Sequence, residues 1–296
     1  MSVLHDLSND LASAVKTASA SLVRVEARRR MSASGIVWSA DGLILTSNHG
    51  VERDDNLRVG LPDGSVVDAT LVGRDPTTDV AVLRVAGTLT PATWVETADV
   101  QVGHLVLALG RPEGDVQATL GVVSAVSGEW RTMAGGRVDV YLQTDVVMYP
   151  GFSGGALIGA DGAMLGMNSS SLARGVSLTL PTVTLKRVVA TLATHGRVKR
   201  GYLGVSAQPV RLPAALETQL GQESGLMLTA VESGSPAETS GLHLGDTLYH
   251  IAGQPVRQMD DLMAVLSGDR VGQSVPARVL RGGQSIDVSI TIGERN

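Results

Sequence analysis

The chain has 296 residues and a formal net charge of −5, and 43% of its residues are hydrophobic, which is typical of a folded protein of about two domains and excludes a disordered chain. It contains no cysteine, which excludes disulfides, thiol catalysis and zinc–thiolate sites. Basic residues form no long patch apart from Arg28, Arg29 and Arg30, so we expect no nucleic-acid partner.

The first segment predicts a helix. Apolar residues recur at three- and four-residue steps over residues 1–20, as in an amphipathic helix. Its polar face carries Asp6, Asp10 and Lys16, so we expect the helix to pack on the protein itself. The segment lacks the charge and hydropathy pattern of a secretory signal, and no stretch is apolar enough to span a membrane. We therefore expect a cytoplasmic protein, or a periplasmic or secreted one if the N-terminus has been trimmed.

Residues 21–180 contain many short β-type runs separated by turn signals such as Asp41-Gly42 and Asp161-Gly162. This pattern is typical of a barrel or sandwich, and the segment is long enough for two six-stranded barrels. A helix is predicted from Pro181 or Thr182 to Gly196.

A second unit begins at Gly201, with strand-like runs and helical pieces at residues 235–241 and 259–268. The expected organisation is an N-terminal helical segment at 1–20, a mainly β domain at 21–196 and a smaller module at 201–293.

The strongest chemical signal is Gly151-Phe152-Ser153-Gly154-Gly155. Glycines around a serine let the turn present the hydroxyl, while the N–H groups of Gly151 and Ser153 stay open to bind an oxyanion. The alternative is a glycine-rich turn with an ordinary serine.

A serine nucleophile needs a base and a group that orients the base. His49 follows the strand-like run Leu43–Asn48, although it could also be a surface turn histidine. Asp79 precedes an apolar run that would draw it inward, where a carboxylate needs a partner. Asp75 in the same loop is the alternative candidate for the carboxylate that orients the histidine. Thirty residues separate His49 from Asp79 and 74 separate Asp79 from Ser153, and the order His, Asp, Ser is that of chymotrypsin.

Three segments carry a resemblance to a known family: residues 34–51 around His49, 73–85 around Asp79 and 143–170 around Ser153. They resemble the corresponding segments of the HtrA (high-temperature-requirement) serine proteases, and the likeness extends over residues 20–293. The resemblance implies a chymotrypsin-like pair of six-stranded barrels followed by a PDZ domain. It also implies cleavage of unfolded or damaged proteins and assembly into a homo-oligomer, either a trimer or a multiple of trimers. By motif, His49, Asp79 and Ser153 form the catalytic triad.

Two positions depart from the family pattern, which usually has Asn where Phe152 stands and Pro where Ala156 stands. If Phe152 distorts the Ser153 turn, the oxyanion hole is malformed at rest. A non-proteolytic chaperone that kept the fold and the peptide groove is therefore the alternative function.

The substrate pocket follows from the same resemblance. The residue six before the nucleophile is Val147, where trypsin-like enzymes that select Lys or Arg carry Asp. With Val176, Ser177 and Leu178 it predicts an uncharged pocket and cleavage after small aliphatic residues.

The C-terminal module resembles a PDZ domain. Tyr202, Leu203, Gly204 and Val205 match its carboxylate-binding loop, which implies binding of peptide C-termini as an added β-strand. The alternative is a structural module without a ligand. No metal-ligand spacing or cofactor fingerprint occurs, so we expect no cofactor.

Overall fold

The computed structural model describes residues 2–96, 99–173, 175–266 and 270–294. The chain divides into two compact units, Met1–Val198 and Lys199–Asn296.

Six antiparallel strands of the first unit close into a barrel in the order β1-β2-β3-β6-β5-β4. Their inward-facing Val, Ile, Leu and Ala side chains are almost fully buried, as expected for a small barrel filled by side chains. The strands are β1 (Leu22–Glu26), β2 (Ala33–Val37), β3 (Leu43–Ser47), β4 (Leu57–Gly60), β5 (Val66–Asp75) and β6 (Val80–Val85).

A second closed barrel has the order β11-β14-β13-β12-β7-β8, and β9 and β10 form a separate hairpin. Two six-stranded barrels confirm the chymotrypsin-like, mainly β fold expected from the sequence. The strands are β7 (Leu105–Gly110), β8 (Gln117–Ser127), β9 (Trp130–Arg131), β10 (Arg137–Val138), β11 (Tyr141–Thr144), β12 (Ala156–Gly159), β13 (Met164–Ser169) and β14 (Ser177–Pro181).

Two helices flank the barrels. Helix α2 (Thr182–His195) ends at Gly196, as predicted from the sequence, and the φ of 72° at this glycine is that of a left-handed cap. Helix α1 (Val3–Ser19) buries Ala14 and Ala18 in the core. Its first turns do not pack as expected, since Leu4 is 78% exposed. Only the second half of α1 lies against the protein, with Ala14 beside the turn at Gly162.

The second unit is built on a sheet in the order β16-β17-β18-β20-β21, so β16 is an edge strand. Two of its helices lie where the sequence predicts them, and residues 267–268 at the end of the second prediction lie outside the described residues. The elements are β15 (Gly201–Tyr202), β16 (Val205–Arg211), α3 (Ala214–Leu220), β17 (Ser224–Val231), α4 (Pro236–Thr239), β18 (Thr247–Ile251), β19 (Gln254–Pro255), α5 (Met259–Val265), β20 (Ser274–Arg281), β21 (Gln284–Thr291) and β22 (Gly293–Glu294).

Among the described residues, no helix combines the length and the apolar composition needed to cross a lipid bilayer.

Candidate active site

The pairing of β3 with β6 brings His49 next to Asp79. These strands are antiparallel with Ser47 opposite Val80, so the residue after β3 lies beside the residue before β6. The N–H of Asn48 accordingly donates to the Asp79 carbonyl at 3.0 Å. A short 3-10 turn, Asn48–Gly50, then directs the His49 ring toward the Asp79 carboxylate.

Asp79 holds His49 through both carboxylate oxygens. Oδ2 lies 2.8 Å from Nδ1 of the ring, and Oδ1 accepts the His49 backbone N–H at 2.9 Å. Ser169 Oγ donates to Oδ2 at 2.5 Å. Burial of the Asp79 carboxyl raises its pKa, but the hydrogen bonds and charge of His49 and the hydroxyl of Ser169 outweigh burial, so the pKa lies below its ordinary value. The carboxylate therefore stays ionised and fixes the proton of neutral His49 on Nδ1, leaving Nε2 as the acceptor.

The rival carboxylate is engaged elsewhere. Asp75 accepts hydrogen bonds from Thr77 Oγ1 at 2.5 Å and Thr78 Oγ1 at 2.7 Å. These bonds close the turn that carries Asp79, whose φ of 59° is unusual for a residue with a side chain. Asp75 thus shapes the loop, whereas Asp79 faces the histidine.

Ser153 lies in the loop between β11 and β12 and is fastened to the first barrel. The Ser34 N–H donates to the Ser153 carbonyl at 3.1 Å. The next residue must be glycine, because a Cβ on Gly154 would lie 2.2 Å from the Ser34 carbonyl oxygen. The second glycine of the motif thus permits the close approach of the two barrels that puts the serine beside His49.

The residues before Ser153 form a tight turn. The Phe152 N–H donates to the Tyr149 carbonyl at 3.0 Å, and Gly151 has a φ of 85°. This is a type II turn, with Pro150 and Gly151 at the positions that favour those residues. Within the described part of the chain, neither the Gly151 N–H nor the Ser153 N–H donates to a protein acceptor. Both donors are available to a developing oxyanion.

Phe152, the position that departs from the family pattern, is fully buried. Its ring packs edge-on against Tyr149, with ring centroids 5.7 Å apart. Space for the ring exists because residue 110 is glycine: a Cβ there would lie 2.7 Å from the Phe152 ring. The aromatic side chain is thus accommodated below the turn, and the turn keeps its type II shape.

The Ser153 hydroxyl is hydrogen-bonded to its neighbour Ser170. Its Oγ lies 2.9 Å from Ser170 Oγ and accepts the Ser170 N–H at 3.2 Å. Among the described residues, no hydrogen bond joins it to the His49 ring. To hydrogen-bond the His49 ring, the Ser153 hydroxyl would have to leave Ser170 by rotation about the Cα–Cβ bond.

Comparison with known proteins identifies the fold and the family. Residues 33–167 match the trypsin-like peptidase domain, and residues 201–292 match the PDZ domain. The solved serine endoprotease from Yersinia pestis is 30% identical with a TM-score of 0.79, and the match covers 97% of this chain and 98% of that one. The HtrA-type protease AlgW, solved with a tripeptide, is 32% identical with a TM-score of 0.76, over 97% of each chain. The chain belongs to the HtrA family of serine endoproteases.

A curated HtrA relative gives the same identification. The "Probable periplasmic serine endoprotease DegP-like" of Halomonas elongata is 36% identical over 273 residues, which are 90% of this chain and 57% of that protein. The chain thus spans a little over half the length of the curated relatives it matches.

The cleft of this HtrA protein is a cavity of about 630 Å³. The predicted pocket residues lie outside its lining: Leu178 is buried in the barrel core, Val147 is 55% exposed, and Ser177 donates to the Val146 carbonyl. Val176 packs against the same core as Leu178. The cavity is lined by residues 28–31, His49, Glu52, residues 148–151, Ser153 and Ser170.

The four residues predicted to form the carboxylate-binding loop, 202–205, lie at the start of the PDZ unit and are hydrogen-bonded to neighbouring segments. The Leu203 carbonyl accepts from Ala237 at 2.9 Å and the Gly204 carbonyl accepts from Glu232 at 2.8 Å, while Tyr202 OH donates to the Glu232 carboxylate. Gly204 has a φ of 77°, and a Cβ there would strike Ser235. Val205 begins β16, whose free edge can accept a further strand.

Sequence reasoning missed Ser169 and Ser170, although both stand in the run Ser169-Ser170-Ser171, which begins at the last residue of β13. A polar run at a strand end was the available signal. No cluster of three or more metal-ligating side chains occurs among the described residues.

Proposed function

We propose that this chain is an ATP-independent serine endopeptidase that cleaves unfolded or damaged proteins, with His49, Asp79 and Ser153 as its catalytic triad. The observation that carries the proposal is the His49–Asp79 pair, joined at 2.8 Å, in one cleft with Ser153 and two available backbone N–H groups.

The chemistry follows from the positions of these atoms. Ser153 Oγ turns from Ser170 toward His49, transfers its proton to Nε2 and attacks the scissile carbonyl carbon. The oxyanion accepts hydrogen bonds from the N–H groups of Gly151 and Ser153. His49, held as imidazolium by Asp79, gives the proton to the leaving amine, and the acyl ester on Ser153 remains. Water, activated by the same histidine, then hydrolyses the ester.

The preference for cleavage after small aliphatic residues rests on the family resemblance, by which Val147, Val176, Ser177 and Leu178 would form an uncharged pocket. These residues lie outside the lining of the cavity of about 630 Å³, so the preference stands on the resemblance and not on that cavity. An uncharged pocket gives no partner to a Lys or Arg side chain. Peptide mapping of a digested protein tests it: cleavage after Val, Ala or Leu supports the assignment, and cleavage after Lys or Arg contradicts it.

The PDZ unit is proposed to bind peptide C-termini. The carbonyls of Leu203 and Gly204 bond inward, which directs the N–H groups of this loop outward toward a carboxylate. A peptide with a free C-terminus should bind the full chain more tightly than its amide, and equal affinities would contradict the proposal.

Assembly into a homotrimer is supported by the exposed first turns of α1, where Val3 is 83% and Leu4 78% exposed. Apolar side chains at such exposure favour an interface. Light scattering should give a trimer that Leu4→Glu dissociates, and a monomeric wild type would contradict assembly.

The compartment is proposed to be the periplasm, as in the name of the Halomonas elongata relative. This replaces the cytoplasmic location expected from the sequence. A chain without cysteine folds equally well in an oxidising compartment. Release from the source cells by osmotic shock is expected, and retention with a cytoplasmic marker would contradict it.

Digestion of an unfolded protein is the direct test of activity. Wild type should degrade casein without ATP, and Ser153→Ala should not. Equal turnover by the two would assign the cleavage to a contaminant and overturn the proposal.

A further inference from the structure

The arginine segment (Arg28, Arg29 and Arg30) lies in the loop between β1 and β2 and lines the same cavity as His49 and Ser153. The loop is short, since β1 ends at Glu26 and β2 begins at Ala33. Ala27 is fully buried and anchors it, whereas Arg29 and Arg30 are exposed. The fold of the barrel does not need these two charges.

The arginine segment is not neutralised by the protein. Arg28 donates to the Met31 carbonyl, and no carboxylate of the described residues forms an ion pair with any of the three arginines. Glu52 is the acidic residue in the lining of the cavity, and its N–H is tied to the Ala27 carbonyl at 3.1 Å. Three positive charges against one negative charge leave this wall of the cleft positive.

The loop lies beside the reacting atoms. The carbonyl of Ser32 borders Gly151, since a Cβ on that glycine would lie 2.9 Å from the Ser32 oxygen. Arg30 is two residues from Ser32 along the chain, and an extended chain rises about 3.3 Å per residue. Its guanidinium therefore comes within reach of side chains two to four residues from the scissile bond.

We propose that the arginine segment is a subsite that selects acidic side chains of the substrate close to the scissile bond. The inference rests on the proposed protease function and adds a substrate class to it. Guanidinium groups pair with carboxylates by charge-assisted hydrogen bonds, and a positive wall raises the local concentration of an acidic peptide. An uncharged pocket for the substrate residue before the scissile bond is compatible with selection of acidic side chains at other positions of the same substrate.

The experiment uses quenched peptides with one Val cleavage site and an amidated C-terminus, which removes the carboxylate that the PDZ unit would bind. Pairs of Glu, Gln or Lys stand two and three residues from the site, before it in one set and after it in the other. Wild type should cleave the Glu peptide of one set about tenfold faster in kcat/KM than its Gln counterpart at low salt, through a lower KM. The preference should disappear in 1 M salt because exposed charges are screened.

The variant Arg29→Ala/Arg30→Ala should lose the preference, so that it cleaves its Glu and Gln peptides with equal kcat/KM. The matched control Arg58→Ala/Arg84→Ala removes the same charge from exposed sites in the first barrel that pair with Glu26 and Asp41, and it should keep the preference. Equal cleavage of the Glu and Gln peptides by wild type, or a preference retained in Arg29→Ala/Arg30→Ala, overturns the inference.

Binding to Ser153→Ala separates this inference from the proposed function. Fluorescence anisotropy should show tighter binding of the Glu peptide than of the Gln peptide to this variant, and loss of the difference when Arg29 and Arg30 are also replaced by Ala. If wild type cleaves none of the peptides but the Glu peptide still binds Ser153→Ala more tightly than the Gln peptide, the protease function is contradicted and the acidic subsite is not. If the double arginine variant loses binding to vesicles of anionic lipid and keeps its peptide preference, the segment is a membrane contact and the inference is wrong.

Discussion

The ring of Phe152 lies over the backbone of Gly110, so closely that a Cβ on the glycine would be 2.7 Å from it. The glycine on β7 and the aromatic residue in the nucleophile turn are therefore complementary. The ring is fully buried, so displacing it would disturb the side chains around it. Its position determines how the turn from Tyr149 to Ser153 is supported from below.

Gly110→Ala should slow the reaction of Ser153. The new methyl group pushes the Phe152 ring, and with it the N–H groups that bind the oxyanion; loss of one such donor costs about 10²–10³ in rate. We expect fluorophosphonate labelling to fall at least about tenfold by the same principle, and Gly110→Ala/Phe152→Leu to recover part of it. Gly114→Ala is the control, because a Cβ there meets nothing within 4 Å. Unchanged labelling of Gly110→Ala would show that Phe152 does not support the turn.

Asp79→Asn should retain the fold and lower kcat by about 10³–10⁴, because the amide stabilises the wrong histidine tautomer. The contribution of Asp79 to stability follows its lowered pKa. It is present above the unfolded-state pKa of about 3.9 and is lost as the pH falls through the folded-state pKa below it. The stability difference between wild type and Asp79→Asn, measured by urea unfolding, should therefore shrink in acid.

Asp75→Asn distinguishes the two carboxylates. It loses hydrogen bonds within the turn, so the free energy of unfolding should fall by about 1–2 kcal/mol, with kcat of the folded enzyme near the wild-type value. A larger loss of kcat in Asp75→Asn than in Asp79→Asn would reverse their roles.

The neighbouring serines 169 and 170 should give opposite results. Ser170→Ala removes a hydroxyl that lies 2.9 Å from Ser153 Oγ and holds it on the side away from His49. Labelling of Ser153 should therefore become about 2–10 times faster. Ser169→Ala removes a hydrogen bond to the Asp79 carboxylate, so labelling should become slower by a similar factor. Pre-steady-state labelling rates measure both. Slower labelling of Ser170→Ala would mean that its hydroxyl orients the nucleophile for attack.

Arg281 and Asp246 form an ion pair in the PDZ unit in which the carboxylate is buried and the Arg281 side chain is 36% exposed. Arg281 makes two hydrogen bonds to the carboxylate, at 2.8 and 2.7 Å, and the Asp246 side chain is 1% exposed. Burial of Asp246 raises its pKa, but the bonds from Arg281 and from the His243 N–H outweigh it, and the pKa lies below its ordinary value. This stabilisation is present at neutral pH and is lost as the pH falls through that lowered pKa.

Arg281→Met should therefore destabilise the PDZ unit by about 2–4 kcal/mol at pH 7, since it leaves a buried charge without its partner. The deficit should narrow in acid, where the carboxyl is protonated. Calorimetry of the full chain measures both. Arg278→Met is the matched control on the same strand, because its partner Asp287 is 88% exposed, and it should cost less than about 1 kcal/mol. Equal losses in the two variants would contradict the account.

Local patterns predicted a large part of the fold. The end of α2 follows from Gly196, whose left-handed conformation costs glycine little. The apolar run before His49 and the apolar run after Asp79 correspond to β3 and β6. Both strands are almost continuously buried, and a short continuous apolar run between turn signals is a local signal of such a strand.

Other features depend on contacts between distant segments and escaped prediction. Ser169 is 90 residues from Asp79 in the chain, and the sequence around either residue contains no pattern that predicts their hydrogen bond. The room for Phe152 depends on Gly110, which reads as an ordinary strand glycine. The apolar pattern of α1 correctly predicted a helix, but a pattern cannot tell which turns find a neighbour, and Leu4 remains exposed.

The most direct test of the central claim is the site of fluorophosphonate attachment, read by mass spectrometry of the labelled full chain. The account predicts one adduct, on the peptide containing Ser153, that is absent from Ser153→Ala and strongly reduced in His49→Ala. A folded wild-type protein that takes no label, or an adduct that persists in Ser153→Ala, would contradict it.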